Sequence, residues 1–125
     1  MDTIRTGIFK DRLEKRRNQI LLTLRHIEKE QQEAEEFNDW LDHATRESRI
    51  RLLGRLTDWY IKEGTQIERA LARMDANTYG ICRACHRPIE QPRLDAFPES
   101  EFCIGCQDMR ESLKGSKFAG NLLGQ

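Results

Sequence analysis

The chain has 125 residues, of which 38% are hydrophobic, 7% aromatic and 34% charged. This composition is poor in material for a large buried core and is typical of long exposed helices. Lysine plus arginine and aspartate plus glutamate both total 21, so no overall basic charge points to nucleic acid as a partner. No apolar run is long enough for a signal peptide or a membrane span, which predicts a cytoplasmic protein without membrane contact.

The first half of the chain predicts long helices. No glycine or proline occurs between Ile8 and Leu53, and the first proline is Pro88. Apolar residues recur every seven positions, as expected for helices that pack lengthwise. Two such seams are present: Leu13, Ile20, Ile27 and Ala34 in the first, and Leu53, Tyr60, Ile67 and Met74 in the second.

The predicted break between the two helices is the segment from Phe37 to Trp40, which reads Phe-Asn-Asp-Trp. Asn and Asp compete for backbone hydrogen bonds and favour turns and helix caps. A turn there makes the pair antiparallel, with a first helix from near Ile8 to near Phe37 and a second from near His43 to near Ala76. One uninterrupted helix that pairs with a second copy of the chain remains the alternative.

The last third of the chain carries two C-x2-C pairs separated by seventeen residues: Cys82, Cys85, Cys103 and Cys106. Each pair can lie on a tight turn that directs two thiolates at a common point, and four soft ligands complete a structural zinc site. In a reducing cytoplasm this pattern favours metal over disulfides. His86 is a conceivable substitute ligand, but with four cysteines present we interpret it as a loop residue.

These patterns together predict a mainly α-helical protein. We expect an N-terminal segment and a coiled-coil hairpin over residues 1–76, with its tip near residues 38–44. A four-cysteine zinc module with a C-terminal helix follows over residues 77–114, and residues 115–125 are expected to form a flexible tail. Short strands or loops are expected between the cysteine pairs, and the last helix is expected to end near Leu113.

The predicted tip has the form D-x-x-D-x-A, with Asp39, Asp42 and Ala44 at the three defined positions. Taken alone, the motif indicates helix capping, because an aspartate there can accept hydrogen bonds from the free N–H groups at the start of the second helix. The carboxylates would also complement the dipole of that helix.

Together with the cysteines, this tip makes the chain resemble the DksA/TraR family of bacterial transcription factors. A third shared feature is the motif I-x3-R-L-x-A-x-P between the cysteine pairs, formed here by Ile89, Arg93, Leu94, Ala96 and Pro98. The resemblance extends from about Leu13 to about Leu113. The chain looks like a short member of this family.

The resemblance implies that the chain is not an enzyme but a regulator that binds RNA polymerase directly. The coiled coil would enter the secondary channel of the polymerase and modulate promoter open complexes. Asp39 and Asp42 would present their carboxylates near the catalytic centre, and Ala44 would let the tip pack closely. A monomer without sequence-specific DNA binding is expected.

Two other functions remain open from the sequence. The first is a Gre-like secondary-channel factor, in which the tip acids stabilise a second magnesium ion and stimulate transcript cleavage. The second is a zinc-dependent nucleic-acid or protein adaptor whose coiled coil serves only for dimerisation.

Family members also suggest a nucleotide cofactor, since the longer ones bind the alarmone ppGpp through basic residues near the zinc module. At the corresponding positions this chain has Gln66, Phe97 and Gln107. Phosphate binding requires Arg or Lys side chains, so a complete ppGpp site is doubtful.

Overall fold

The computed structural model describes residues 3–36 and 43–122, with the side chains of residues 34, 36, 43 and 114–122 outside the description. Within these ranges the chain forms four α-helices: α1 over Thr3–Glu36, α2 over His43–Asp75, α3 over Gln91–Ala96 and α4 over Ile104–Leu122. An isolated antiparallel bridge joins Ile81 and Pro88. Among the described helices, none combines the length and apolar character needed to cross a bilayer.

Helices α1 and α2 pack side by side in opposite directions, which confirms the predicted hairpin. Interhelix ion pairs mark the direction: Glu30 of α1 pairs with Arg49 near the start of α2, and Arg16 pairs with Glu63 further along. The observed bounds lie close to the predicted ones, except that α1 begins at Thr3 rather than near Ile8. The predicted turn from Phe37 to Trp40 lies outside the described residues.

The heptad seams form the hairpin core. Their described members are buried or half-buried, because each seam turns inward against the other helix. The most deeply buried seam residues are Leu13, Ile20, Ile27, Leu53 and Ile67, all no more than 6% exposed.

The core continues from the hairpin into the zinc module. Phe9 on α1 packs against Tyr79, with ring centroids 6.1 Å apart, and both residues belong to the cluster that also contains Cys82 and Leu94. The Tyr79 hydroxyl donates a hydrogen bond to the Pro98 carbonyl at 2.8 Å, and burial raises the pKa of Tyr79 to about 12. The base of the hairpin and the zinc module therefore share one hydrophobic core.

Two elements differ from the sequence expectation. The segment between the cysteine pairs contains helix α3, where short strands or loops are expected, and Pro92 in its first turn is a helix-start signal that favours it. The last helix continues to Leu122 rather than ending near Leu113, so residues 115–122 are helical instead of a loose tail. Gly115 and Gly120 each weaken a helix by about 1 kcal/mol but do not terminate it.

Candidate metal centre

The first cysteine pair lies on a tight turn that is enclosed by the bridge between Ile81 and Pro88. The N–H of Cys82 donates to the Arg87 carbonyl at 2.8 Å, and the N–H of His86 donates to the Cys82 carbonyl at 3.0 Å. His86 adopts a φ of 62°, a left-handed conformation that reverses the chain after Cys85. Its side chain is exposed, in agreement with the interpretation of His86 as a loop residue.

The second pair lies at the start of α4. Cys103 precedes the helix, Cys106 lies in its first turn, and the N–H of Gln107 donates to the Cys103 carbonyl at 2.9 Å. A Glu90 carboxylate oxygen accepts a hydrogen bond from the N–H of Ile104 at 3.3 Å and satisfies one of the free donors at this helix end. A turn and a helix start therefore present the two pairs to each other.

The four sulfur atoms form one cluster, and all of them lie within 4.8 Å of one another. The Cys85 and Cys103 sulfurs are 3.8 Å apart, which equals the edge of about 3.8 Å for a tetrahedron whose zinc–sulfur bonds are about 2.3 Å. Four thiolates fill the coordination sphere of zinc and leave no position for water or substrate. The geometry thus fits a structural zinc ion.

Backbone N–H groups support the thiolate form at the buried end of the cluster. Burial acts to raise the pKa of Cys82, but hydrogen bonds from the backbone of Cys85, Cys103 and Ala84 outweigh it and lower the pKa to about 6. The pKa of Cys106 is raised to about 12, chiefly because its thiol hydrogen-bonds to the Cys103 and Cys82 sulfurs. Amide donors of this kind also stabilise a metal-bound thiolate.

A largely buried carboxylate, Glu101, connects the metal centre to α2. Its side chain is 11% exposed and accepts hydrogen bonds from Arg73 at 3.3 Å and from Arg83 at 3.1 Å, while Arg69 approaches to 3.9 Å. Arg83 lies between the first two cysteines, and its N–H also donates to the Glu101 carbonyl at 2.9 Å. We refer to Glu101 and these three arginines as the Glu101 hub. The sequence does not reveal this hub, since no local pattern places residue 101 beside residues 69 and 73.

Three neutral or apolar residues, at positions where the family resemblance predicts basic side chains for ppGpp, lie together. Gln66, Phe97 and Gln107 all line one cavity of about 340 Å³ at the base of the hairpin. The charged residues of this cavity are four carboxylates and one guanidinium: Glu99, Glu101, Asp108, Glu111 and Arg93. Excess negative charge repels a polyphosphate, so the cavity is poorly suited to ppGpp.

The predicted tip residues are only partly described. Asp39 and Asp42 lie outside the described residues, whereas Ala44 lies in the first turn of α2 and is exposed. Ala44 and the four cysteines therefore lie at opposite ends of α2, which extends over 33 residues.

Comparisons with known proteins match this architecture. The family model of the prokaryotic dksA/traR C4-type zinc finger matches residues 77–111. The RNA polymerase-binding transcription factor DksA of Salmonella typhimurium is 32% identical over 124 residues, which cover 96% of this chain and 80% of that protein. An uncharacterized protein of Aquifex aeolicus is 31% identical over 118 residues, covering 86% of this chain and 81% of the relative.

Among solved structures, the transcription factor DksA2 from Pseudomonas aeruginosa superposes with a TM-score of 0.82 at 27% identity. The match covers 91% of this chain and 88% of that one. The family model and the clustered sulfurs together confirm the prediction of one structural zinc ion.

Proposed function

The chain belongs to the DksA/TraR family, and on that basis we propose that it regulates bacterial transcription by binding RNA polymerase directly. The observation that carries the proposal is the match to DksA2 across both the hairpin and the zinc module, at a TM-score of 0.82 over 91% of the chain. Several relatives are named as RNA polymerase-binding transcription factors. The protein acts in the cytoplasm as a monomer, without sequence-specific contacts to DNA.

The hairpin is the part that enters the secondary channel of the polymerase. Helices α1 and α2 contain 34 and 33 residues, which corresponds to a length of about 50 Å. We propose that Asp39, Asp42 and Ala44 form the tip of this rod, far from the zinc module. The tip carboxylates bias the open complex through charge and contact, and a change of about 1.4 kcal/mol in open-complex stability alters its population tenfold.

The zinc module orients the hairpin and takes no part in chemistry. When bound, zinc supplies a cross-link between the two cysteine turns, and its four-sulfur site has no open coordination position for a reaction. The shared core around Cys82 and Tyr79 then holds the base of α2 in a fixed direction. The acidic lining of the cavity beside Gln66 and Phe97 supports the proposal that regulation does not require ppGpp at this position.

In vitro transcription from a ribosomal promoter tests the proposal. We expect Asp42→Asn to bind polymerase but lose regulation, because it removes a tip charge and leaves the hairpin intact. Asp58→Asn is a matched control, since Asp58 is an exposed carboxylate in the middle of α2. Normal regulation by Asp42→Asn would refute the role of the tip.

A transcript-cleavage assay on stalled complexes separates this function from the Gre-like one. We expect no stimulation of cleavage by the wild-type chain. Stimulation that disappears in Asp39→Asn would instead assign the tip acids to magnesium binding.

A further inference from the structure

A second cavity lies between the end of α2 and the first cysteine turn, and we refer to it as the Arg73 cavity. Its volume is about 420 Å³. The guanidiniums of Arg73 and Arg83 line it together with the imidazole of His86, whereas no carboxylate of the described residues does. Among those residues it shares none with the cavity around Gln66 and Phe97. It is therefore a separate cavity, and its lining arginines are cationic.

The Arg73 guanidinium is largely buried, and its hydrogen-bonding capacity is only partly used. Its side chain is 13% exposed. Its terminal nitrogens donate hydrogen bonds to the Glu101 carboxylate at 3.3 Å and to the Ser100 carbonyl at 3.2 Å. Its Nε–H is buried and has no acceptor among the described residues. Because buried donors are nearly always paired in folded proteins, this guanidinium has capacity for a further acceptor.

Positive charge exceeds negative charge around this cavity. Arg69, Arg73 and Arg83 share the single carboxylate of Glu101, and both burial and the neighbouring Arg83 charge lower the pKa of Arg73. A zinc ion held by four thiolates contributes a net charge of about −2. Arg87, in the first cysteine turn, adds a further guanidinium. Among these groups a surplus of about one positive charge remains when zinc is bound, which suits a singly charged anion.

The end of α2 opposes an anion less than a free helix end would. The N–H of Thr78 donates to the Arg73 carbonyl at 2.9 Å, and the N–H of Asn77 donates to the Met74 carbonyl at 3.2 Å. Asn77 has a φ of 58°, the left-handed conformation that often follows a helix. These bonds satisfy carbonyls that would otherwise be free at the negative end of the helix dipole.

Ile81 gives the Arg73 cavity an apolar wall. Ile81 is 38% exposed and is held in place by its bridge to Pro88. The cavity volume lies within the range of about 300–1,000 Å³ in which proteins bind small organic molecules. A ligand of this size can place a charged group against the arginines and an apolar group against Ile81.

We propose that the Arg73 cavity binds a carboxylate that is attached to an apolar group. A carboxylate is planar and matches the paired N–H donors of a guanidinium, and its single charge matches the surplus described above. Arg73 and Arg83 bind the carboxylate, and the apolar group packs on Ile81. This site is additional to the proposed function and does not depend on it.

NMR titration of the full-length, zinc-loaded chain with small probes tests the site. Benzoate has both the carboxylate and an apolar ring, acetate lacks the ring, benzamide lacks the charge, and inorganic phosphate lacks the carboxylate. We expect benzoate to bind at one saturable site, about tenfold more tightly than acetate or benzamide. The backbone N–H signals of Thr78, Ile81 and His86 should shift, and those of Gln66 and Gln107 should not.

Arg83→Gln is the main variant, because Arg83 is more than half exposed and its replacement should leave the module folded. We expect it to weaken benzoate binding by about tenfold. Arg17→Gln is the matched control: it removes the same charge, but Arg17 lies on α1 and pairs with Glu68. Ile81→Ala should weaken the binding of benzoate and leave that of acetate within about twofold. The zinc content of every variant is measured, so that loss of metal is not taken for loss of binding.

Two sources share this ligand chemistry: a free organic acid and the C-terminus of a peptide that ends in an apolar residue. N-acetylleucine and a short peptide ending in leucine separate them. If the peptide binds about tenfold more tightly, contacts beyond its last residue contribute, and the ligand is a peptide C-terminus. Equal affinity assigns the site to a free acid.

The remaining outcomes support or overturn the site directly. Saturable shifts that Arg83→Gln weakens and Arg17→Gln does not weaken support it. An equal loss in both arginine variants overturns it, because binding then depends only on total charge. Shifts centred on Gln66 and Gln107 overturn it in favour of the other cavity. Tighter binding of inorganic phosphate than of benzoate overturns the choice of a carboxylate, and acetate binding as tight as that of benzoate overturns the apolar group.

Discussion

Replacing Glu101 with glutamine removes the largely buried carboxylate on which Arg69, Arg73 and Arg83 converge. The side chains of Glu101 and Arg73 are only 11% and 13% exposed, and their hydrogen bond measures 3.3 Å. Burial lowers the pKa of Arg73 and the Glu101 carboxylate acts to raise it again. The variant therefore leaves a largely buried guanidinium without its counter-charge.

The expected cost follows from this burial. Removing one partner of a fully buried ion pair costs about 3–5 kcal/mol. Arg83 is more than half exposed, and Arg73 keeps a hydrogen bond of 3.2 Å to the Ser100 carbonyl. We therefore expect Glu101→Gln to lower the free energy of unfolding by about 2–3 kcal/mol. For a chain of this size that corresponds to a decrease of about 10 °C in Tm.

Thermal unfolding of the zinc-loaded chain, followed by circular dichroism, measures this cost. Glu68→Gln is the control, because its ion pair with Arg17 is exposed and should contribute no more than about 1 kcal/mol. If Glu101→Gln is destabilised no more than Glu68→Gln, the Glu101 hub does not hold the zinc module on the hairpin.

Three further predictions concern the pH dependence of stability, a glycine in α2 and the bound zinc. The hydrogen bond from Arg16 lowers the pKa of Glu63 in the folded chain. The pair therefore stabilises the fold fully at pH values above the pKa that glutamate has in the unfolded chain. This contribution is lost as the pH falls through the lower pKa of Glu63 in the folded chain. Stability measured between neutral pH and about pH 3 should therefore fall more in the wild type than in Glu63→Gln. Gly64→Ala should stabilise α2 by up to about 1 kcal/mol, since the added Cβ would lie 3.8 Å from Ile20, an ordinary contact. Metal analysis should find one zinc ion per chain, and a chelator should lower both the Tm and the helical signal, because Cys82 belongs to the core at the base of the hairpin.

Each of these predictions has a contrary outcome. Parallel pH profiles for the wild type and Glu63→Gln would show that this pair contributes no pH-dependent stability. For the backbone prediction, Gly80→Ala is the matched control, because Gly80 has a φ of 83° and alanine is strained there. A Gly64→Ala variant as unstable as Gly80→Ala would contradict the packing at Ile20. A zinc-free chain with an unchanged Tm would show that the hairpin is independent of the metal.

The sequence alone predicted the elements that depend on local spacing. Seven-residue steps identified the two seams, and Leu13, Ile20 and Ile67 are buried as expected. The C-x2-C spacing predicted the zinc site, because two residues between cysteines allow a tight turn whatever the rest of the fold does. Pro92 is a local signal for the start of α3, but the expectation of short strands or loops between the cysteine pairs took no account of it.

Only the tertiary structure decided how these elements meet. Phe9 against Tyr79, Arg73 against Glu101, and Gln66 beside Phe97 join residues far apart in the chain. Such contacts depend on the direction in which the zinc module packs on the hairpin, and the periodicity of a helix carries no information on that direction. The sequence therefore determined the two long helices and the metal ligands, whereas the shared core, the Glu101 hub and the cavity lined by Gln66 and Phe97 arise from packing between the elements.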